Sequence, residues 1–295
     1  AGGMGTVYLG LDTRTNQHVA IKHLKSEIAQ PENIERFKRE GEALRDLNHP
    51  NIVKMLDMFE HDGQHYLVMD YIAGGDLSDL LKQGIIPLEQ VLKLSIDLAD
   101  ALTRAHKLNI IHRDLKPANV LIGDDGVLQL TDFGVAYVGS KDRVTETDAI
   151  IGTIDYLPPE AFDGQIFDAR GDIWAFGVML FEMLAGKRPF KGQTLMKVIQ
   201  AISTQPIPDL EALRSDAPIA LVDLVYRMLE RDPQTRIPSV RRVGTELEDI
   251  PQGREVTPQT PRFTPEVADF VSQAKHNLPS QTTPFVGREH ELAEL

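Results

Sequence analysis

Residues His112-Arg113-Asp114-Leu115-Lys116-Pro117-Ala118-Asn119 pack dense, mixed polarity between Ile110-Ile111 and Val120-Leu121-Ile122. Such a run suits a loop that must do chemistry between apolar elements. Asp114 can accept a hydroxyl proton, Lys116 can neutralise a phosphate in transfer, and Asn119 can hold a metal through its amide oxygen. Asp132-Phe133-Gly134 follows at the end of a strand reading over Val127 to Leu130. Its carboxylate is the natural ligand for a hard cation. An Asp-Phe-Gly triplet means little alone, and its spacing of 18 residues after Asp114 gives it weight.

Two features near the start add cations and backbone donors. Gly2-Gly3-Met4-Gly5-Thr6-Val7 can bring main-chain N–H groups close to phosphates, although glycine clusters also serve plain turns. Lys22 closes the apolar run Val19-Ala20-Ile21. Taken singly it reads as a strand-end surface lysine. If buried it would need an anion, and Glu40 on a following helical stretch could orient it. His61 and His65 have the spacing of a zinc-binding helix pair, but Asp62-Gly63 between them breaks any helix, so metal binding is not expected there.

The elements that must position these residues fall into two groups. Residues 1–73 are mostly β-like: Thr6 to Leu9 and His18 to Ile21 flank a polar turn, and Ile52 to Phe59 and His65 to Tyr71 flank the hairpin signal Asp62-Gly63. Between them, Ile34, Phe37, Ala43 and Leu44 have helical spacing. After Gly74-Gly75 the chain reads as helical, with helices over Leu88 to Ala105, Asp172 to Leu184 and Ile219 to Leu229. The expectation is an α+β fold with a small β-rich lobe (1–73), a larger helical lobe (74–250), and a ligand cleft between them. Residues 251–283, with Thr257-Pro258, Thr260-Pro261 and Thr264-Pro265, read as a Pro/Thr-rich linker.

Composition narrows the function classes. The chain has 295 residues, no cysteine and a formal net charge of −13. Disulfides, thiolate zinc sites and cysteine nucleophiles are excluded, and non-specific nucleic-acid binding is disfavoured. No apolar run approaches the ~18–20 residues needed to cross a bilayer, and no signal peptide is evident, which fits a cytoplasmic location. Ala1 falls inside the glycine-rich motif with no strand before it, so the chain is read as a piece of a longer protein.

Taken in order, these motifs resemble the protein kinase family: glycine-rich loop, Val-Ala-Ile-Lys, helix Glu, His-Arg-Asp-x-x-x-x-Asn, Asp-Phe-Gly and a terminal Pro159-Glu160, over residues 1 to about 250. The resemblance implies the two-lobed kinase fold, here without its first strand, and a Ser/Thr protein kinase that moves the γ-phosphate of ATP onto protein hydroxyls. It implies ATP and Mg²⁺ as cofactors, with Mn²⁺ able to substitute. Gly2, Gly3 and Gly5 would cover the phosphates; Lys22 would grip them and pair with Glu40. Asp114 would be the base, Lys116 would steady the γ-phosphate, and Asn119 and Asp132 would carry the metal. Val7, Ala20 and Leu121 would sandwich adenine, with Met69 as gatekeeper, Asp70 to Ile72 as hinge and Asp76 at the ribose. His112 would stack with Phe133, Leu44 and Met55.

Lys116 and Gly152-Thr153 resemble the Ser/Thr class, with Thr153 lining the substrate site. Glu160 is expected to pair with Arg236, and Asp172 to brace the catalytic loop. Arg113 implies control by phosphorylation of the activation segment. Thr145 and Thr147 resemble the paired activation threonines of bacterial receptor-type kinases, implying autophosphorylation, with a second copy of the chain as partner in trans. The missing first glycine would weaken ATP binding, and Pro158 stands where the family has Ala. A pseudokinase would lack Lys22, Asp114 or Asp132, and small-molecule phosphotransferases usually carry Gly at the Arg113 position. The segment 284–295, with Pro284-Phe285-Val286-Gly287-Arg288-Glu289, resembles the entry of AAA-like signal-transducing NTPase domains, so a further domain is expected beyond Leu295.

Overall fold

The computed structural model describes residues 5–24, 45, 47–133, 154–163 and 168–250. The chain divides into two units, Ala1–Val256 and Thr257–Leu295, and every described residue belongs to the first. The expected linker and the segment 284–295 lie outside the described residues, as do the expected helix around Glu40 and the stretch holding Thr145, Thr147 and Thr153.

The first part is an antiparallel sheet in the order β1-β2-β4-β3, built from β1 (Gly5–Asp12), β2 (Gln17–Leu24), β3 (Met55–His61) and β4 (Gln64–Asp70). Asp62 and Gly63 both take positive φ, 51° and 70°, which is what a two-residue hairpin turn demands. His61 and His65 therefore sit on opposite strands of a hairpin and not on one helix face. The strand expected from Ile52 begins only at Met55. The backbone before it is used elsewhere: Ile52 bridges Leu130 in parallel, Val53 N–H donates to Leu130 O (2.9 Å), and Leu130 N–H donates to Asn51 O (2.8 Å). The Asn51 amide adds a bond from Nδ2 to Leu128 O (3.0 Å). These bonds tie the start of the hairpin to the strand that ends just before Asp132.

After irregular residues 71–73 comes a second, small sheet in the order β5-β6-β7: β5 (Gly74–Asp76), β6 (Val120–Gly123) and β7 (Leu128–Leu130). Gly74 has φ 127°, and a Cβ there would lie 2.2 Å from Ile122 O, so the close approach of β5 to β6 requires glycine. Helix α1 (Leu77–Lys82) starts on Asp76, whose Oδ1 accepts from Asp79 N–H (3.0 Å). Helix α2 (Leu88–Lys107) buries one stripe, including Val91, Leu94, Leu98, Ala101, Leu102 and Ala105, in agreement with its amphipathic spacing.

Helix α3 (Ala169–Ala185) is apolar on nearly every side and forms the centre of the helical part. Asp168 caps its start and Gly186, at φ 67°, closes its end with an N–H bond to Glu182 O (2.8 Å). The rest of the packing comes from α4 (Leu195–Thr204), α5 (Leu210–Leu213), α6 (Ile219–Met228) and α7 (Val240–Asp249). Sequence periodicity located α2, α3 and α6; the short α1, α4, α5 and α7 were not among its expectations. The two-lobed α+β fold is the one observed. No described helix is long and apolar enough to cross a membrane.

Candidate active site

Lys22 lies on β2 with Leu67 of β4 on one side and Val7 of β1 on the other. It is 9% exposed, so its ammonium must meet an anion. The partner is Asp132, whose Oδ1 accepts from Lys22 Nζ at 2.7 Å. That contact joins residues 110 positions apart, from β2 and from the end of β7. Glu40, the expected partner of Lys22, lies outside the described residues.

The polar loop between α2 and β6 forms the second cluster. Lys116 Nζ donates to Asp114 Oδ2 (2.8 Å). Asn119 Nδ2 donates to Asp114 O (2.7 Å) and to Asp114 Oδ2 (3.2 Å). With its amide nitrogen committed to Asp114, the amide oxygen is the end of Asn119 that could serve a metal. Thr131 N–H donates to Asn119 O (3.0 Å), so the residue before Asp132 is bound to the loop that carries Asp114.

Two carboxyl-side positions of this site have unusual backbones. Arg113 and Asp132 adopt left-handed φ values of 61° and 59°. For residues with a Cβ this costs on the order of 1–3 kcal/mol each, and the surroundings must impose it. At Arg113 the agent is Asp172 on the first turn of α3, 1% exposed. Its Oδ1 accepts from Arg113 N–H (2.9 Å) and its Oδ2 from His112 N–H (2.8 Å). His106, near the end of α2, places Nε2 2.8 Å from the same Oδ2. Asp172 was expected to brace this loop; His106 was missed, and the signal for it was a buried carboxylate in a mostly apolar helix, which needs a partner nearby.

His112 is fully buried and works as a hub. Nε2 lies 2.9 Å from Thr131 O and Nδ1 accepts from Asp114 N–H (3.3 Å), so the ring carries its proton on Nε2. The ring packs against Phe133 at 4.8 Å between centroids. Met55 instead joins Leu67 and Met69 in a small cluster under the sheet, with Ala20 against it. Ala20 pairs with Met69 across β2 and β4, and Leu121 sits on β6 opposite Asp76. Val7 is 55% exposed on β1. Asp70 ends β4, and Ile72 follows in the irregular stretch before β5. Gly5 begins β1, while Gly2, Gly3, Gly134, Thr145, Thr147 and Thr153 lie outside the described residues.

Beyond the loop, Arg236 is buried and forks onto Glu160, Nη1 to Oε1 at 2.8 Å and Nη2 to Oε2 at 3.0 Å. Tyr156, Leu157 and Pro158, just before Glu160, line a narrow cavity together with Arg113, Asp114 and Asp172. Tyr156 Oη donates to Glu182 Oε2 (2.6 Å), and burial raises the phenol far above its ordinary pKa, helped by the Glu182 charge. This tyrosine, with Asp155, Glu182 and Arg188, forms a polar cluster that sequence reading did not foresee.

Among the described residues no three His, Cys, Asp or Glu side chains gather as a metal cage. Asp132 and Asn119 are side chains here whose oxygens could hold a divalent cation.

A family model described as "Protein kinase domain" matches residues 1–245. A probable serine/threonine-protein kinase of Clostridium perfringens is 36% identical over 259 residues, 87% of this chain and 38% of that protein. PrkC of Bacillus subtilis, a serine/threonine-protein kinase, is 34% identical over 79% of this chain and 36% of its own length. PknB of Mycobacterium tuberculosis is 33% identical over 98% of this chain and 47% of its own length. The chain thus spans less than half of these three relatives. The crystal structure of the Mycobacterium tuberculosis PknI kinase domain superposes with a TM-score of 0.66 at 29% identity, covering 84% of this chain and 91% of that one. With this fold, these two charge clusters and the family match over residues 1–245, the chain belongs to the protein kinase family, and the relatives it resembles are bacterial serine/threonine kinases.

Proposed function

We propose that this domain transfers the γ-phosphoryl group of ATP to serine and threonine hydroxyls of proteins, using Mg²⁺. The observation that carries the reading is the pairing of two cations with two carboxylates around one amide: Lys22 with Asp132, and Lys116 with Asp114 beside Asn119. Each ion pair can exchange partners, because phosphate oxygens offer a lysine the same charge as a carboxylate.

In this reading Lys22 releases Asp132 and takes phosphate oxygens, which frees the Asp132 carboxylate for metal. Mg²⁺ would supply neutralisation of the charge that builds on the phosphate oxygens, with Asp132 and the Asn119 amide oxygen holding it. Asp114 orients the incoming hydroxyl and accepts its proton as the oxygen attacks the γ-phosphorus and the bond to the β,γ-bridging oxygen breaks, releasing ADP. Lys116, next to Asp114, faces the transferring group and offsets its negative charge. Little covalent work falls to the protein, so the rate depends on positioning. Asp172 contributes indirectly, since it holds the backbone of the loop that carries Asp114.

The remaining assignments are part of the same proposal: adenine between Val7, Ala20 and Leu121, hinge contacts at Asp70 to Ile72, ribose at Asp76, and regulation through Arg113 with Thr145 and Thr147. The test is phosphate transfer from labelled ATP to dephosphorylated casein by the full-length protein, beside Asp114→Asn. Loss of general-base action is expected to lower kcat by about 10²–10⁴-fold. Equal transfer by both proteins would overturn the assignment of Asp114.

A further inference from the structure

A protein hydroxyl that reaches Asp114 must pass the stretch Tyr156-Leu157-Pro158, which lines one wall of the cavity beside Asp114. Arg236 holds the far end of that stretch through Glu160. Its near end is held differently. The Asp155 carboxylate is 5% exposed, and its partner is the guanidinium of Arg188. The same guanidinium approaches Glu182, Nε to Oε1 at 4.0 Å, while the other Glu182 oxygen accepts from Tyr156 Oη at 2.6 Å.

Arg188 thus stands between two carboxylates from different elements, one on the wall and one on α3. Burial raises the Glu182 carboxyl above its ordinary pKa, opposed by the Tyr156 hydroxyl and the Lys191 charge. Arg188 sits on a packed corner: it follows the left-handed Gly186 that ends α3, and Phe190 beyond it stacks on Trp174 at 5.7 Å between centroids. A buried carboxylate deprived of its cation is strongly unfavourable, and the cheapest relief is for its segment to lift into water. Lifting Asp155 would carry Tyr156 to Pro158 with it, away from Asp114.

We propose that Arg188 is a positioning residue for the protein substrate: by pinning Asp155 to the end of α3 it keeps the 155–158 wall at the height a hydroxyl-bearing segment needs. The inference rests on the phosphotransfer reading above. It separates the two substrates, because Lys22 and Asp132 bond each other and Asn119 bonds Asp114, outside the Asp155, Glu182 and Arg188 cluster.

The experiment measures steady-state transfer to dephosphorylated casein by the full-length protein and its Arg188→Met, Arg188→Lys and Asp155→Asn/Arg188→Met variants. Arg188→Met is expected to raise the KM for casein about tenfold or more, with kcat and the KM for ATP within about threefold of wild type. Lysine keeps the charge but not the forked donors, so Arg188→Lys is expected to recover part of the loss. Removing the stranded charge should help too, so the double variant is expected to fall closer to wild type than Arg188→Met alone. Equal rises in both KM values, a fall in kcat alone, or a double variant worse than the single would overturn the inference. So would an unchanged KM for casein. If Arg188→Met does not fold, the same comparison is read from Arg188→Lys and the double variant. Absence of transfer by the wild-type protein would refute the phosphotransfer reading itself, which separates the two failures.

Discussion

Replacing Glu160 with alanine is the sharpest test of how the region after the catalytic loop is held. The side chain of Arg236 is 0% exposed, and all five of its guanidinium N–H groups are engaged. Nε donates to Glu230 O (2.8 Å), Nη1 to Glu160 Oε1 and Arg170 O (both 2.8 Å), and Nη2 to Glu160 Oε2 (3.0 Å) and Arg231 O (3.2 Å). The guanidinium also stacks over Trp174 at 5.2 Å from the ring centroid. Four carbonyl or ring partners cannot neutralise it; Glu160 supplies the only full negative charge among these contacts. Breaking a buried pair by removing one partner costs about 3–5 kcal/mol, because the other charge stays buried. At about 2–4 °C per kcal/mol for a domain of this size, Glu160→Ala should lower the melting temperature by roughly 6–20 °C. Thermal melts of the wild type, Glu160→Ala and Glu160→Met/Arg236→Met would measure the shift, and urea melts the free energy. The double variant removes both charges and refills the space, so it should be more stable than Glu160→Ala. A loss below about 1 kcal/mol for Glu160→Ala would put the pair in the class of exposed salt bridges and refute the reasoning.

Two further outcomes follow from neighbouring geometry. Asp172→Asn turns one acceptor oxygen into an N–H donor facing the N–H groups of His112, Arg113 or the His106 ring, so the left-handed backbone at Arg113 loses a holder. The expected result is a drop of about 10–100-fold in kcat, equivalent to about 1.4–2.7 kcal/mol, with far-UV circular dichroism unchanged; a kcat within about twofold of wild type would show the brace to be dispensable. Burial pushes the Glu246 carboxyl up, but hydrogen bonds from Arg227 and Arg242 outweigh it and hold the group below its ordinary pKa of 4.5. A lowered folded-state pKa means that the stabilisation is present above pH 4.5 and is lost as pH falls through the folded value. Glu246→Gln should therefore narrow its stability gap to wild type as the pH of a thermal melt is lowered below that point, whereas a gap that widens on acidification would contradict the assignment.

Much of the site was legible in residue types and spacing. Asp114, Lys116, Asn119 and Asp132 stand out because dense polarity inside apolar flanks has no use in a core. The hairpin at Asp62-Gly63 was equally plain, since both positions take the left-handed backbone that such turns require. The six-residue α1 and four-residue α5 were not legible, because so few turns show little periodicity; α4 and α7, ten residues each like α6 and amphipathic, carried a periodic signal that went unread. The start of β3 was misplaced for a related reason, because periodicity cannot say which strand a backbone N–H will choose. Here Val53 chose Leu130.

Sequence by itself determined the fold class, the order of the motifs and the chemical identity of the reacting groups, because those depend on local pattern and on which side chains are present. Tertiary structure alone decided several pairings. That Lys22 meets Asp132 across 110 positions, that His106 shares Asp172 with two backbone N–H groups, and that Arg188 faces Asp155 are matters of long-range packing. A charge buried by folding must take whichever partner the fold brings within reach, and no local pattern records that choice.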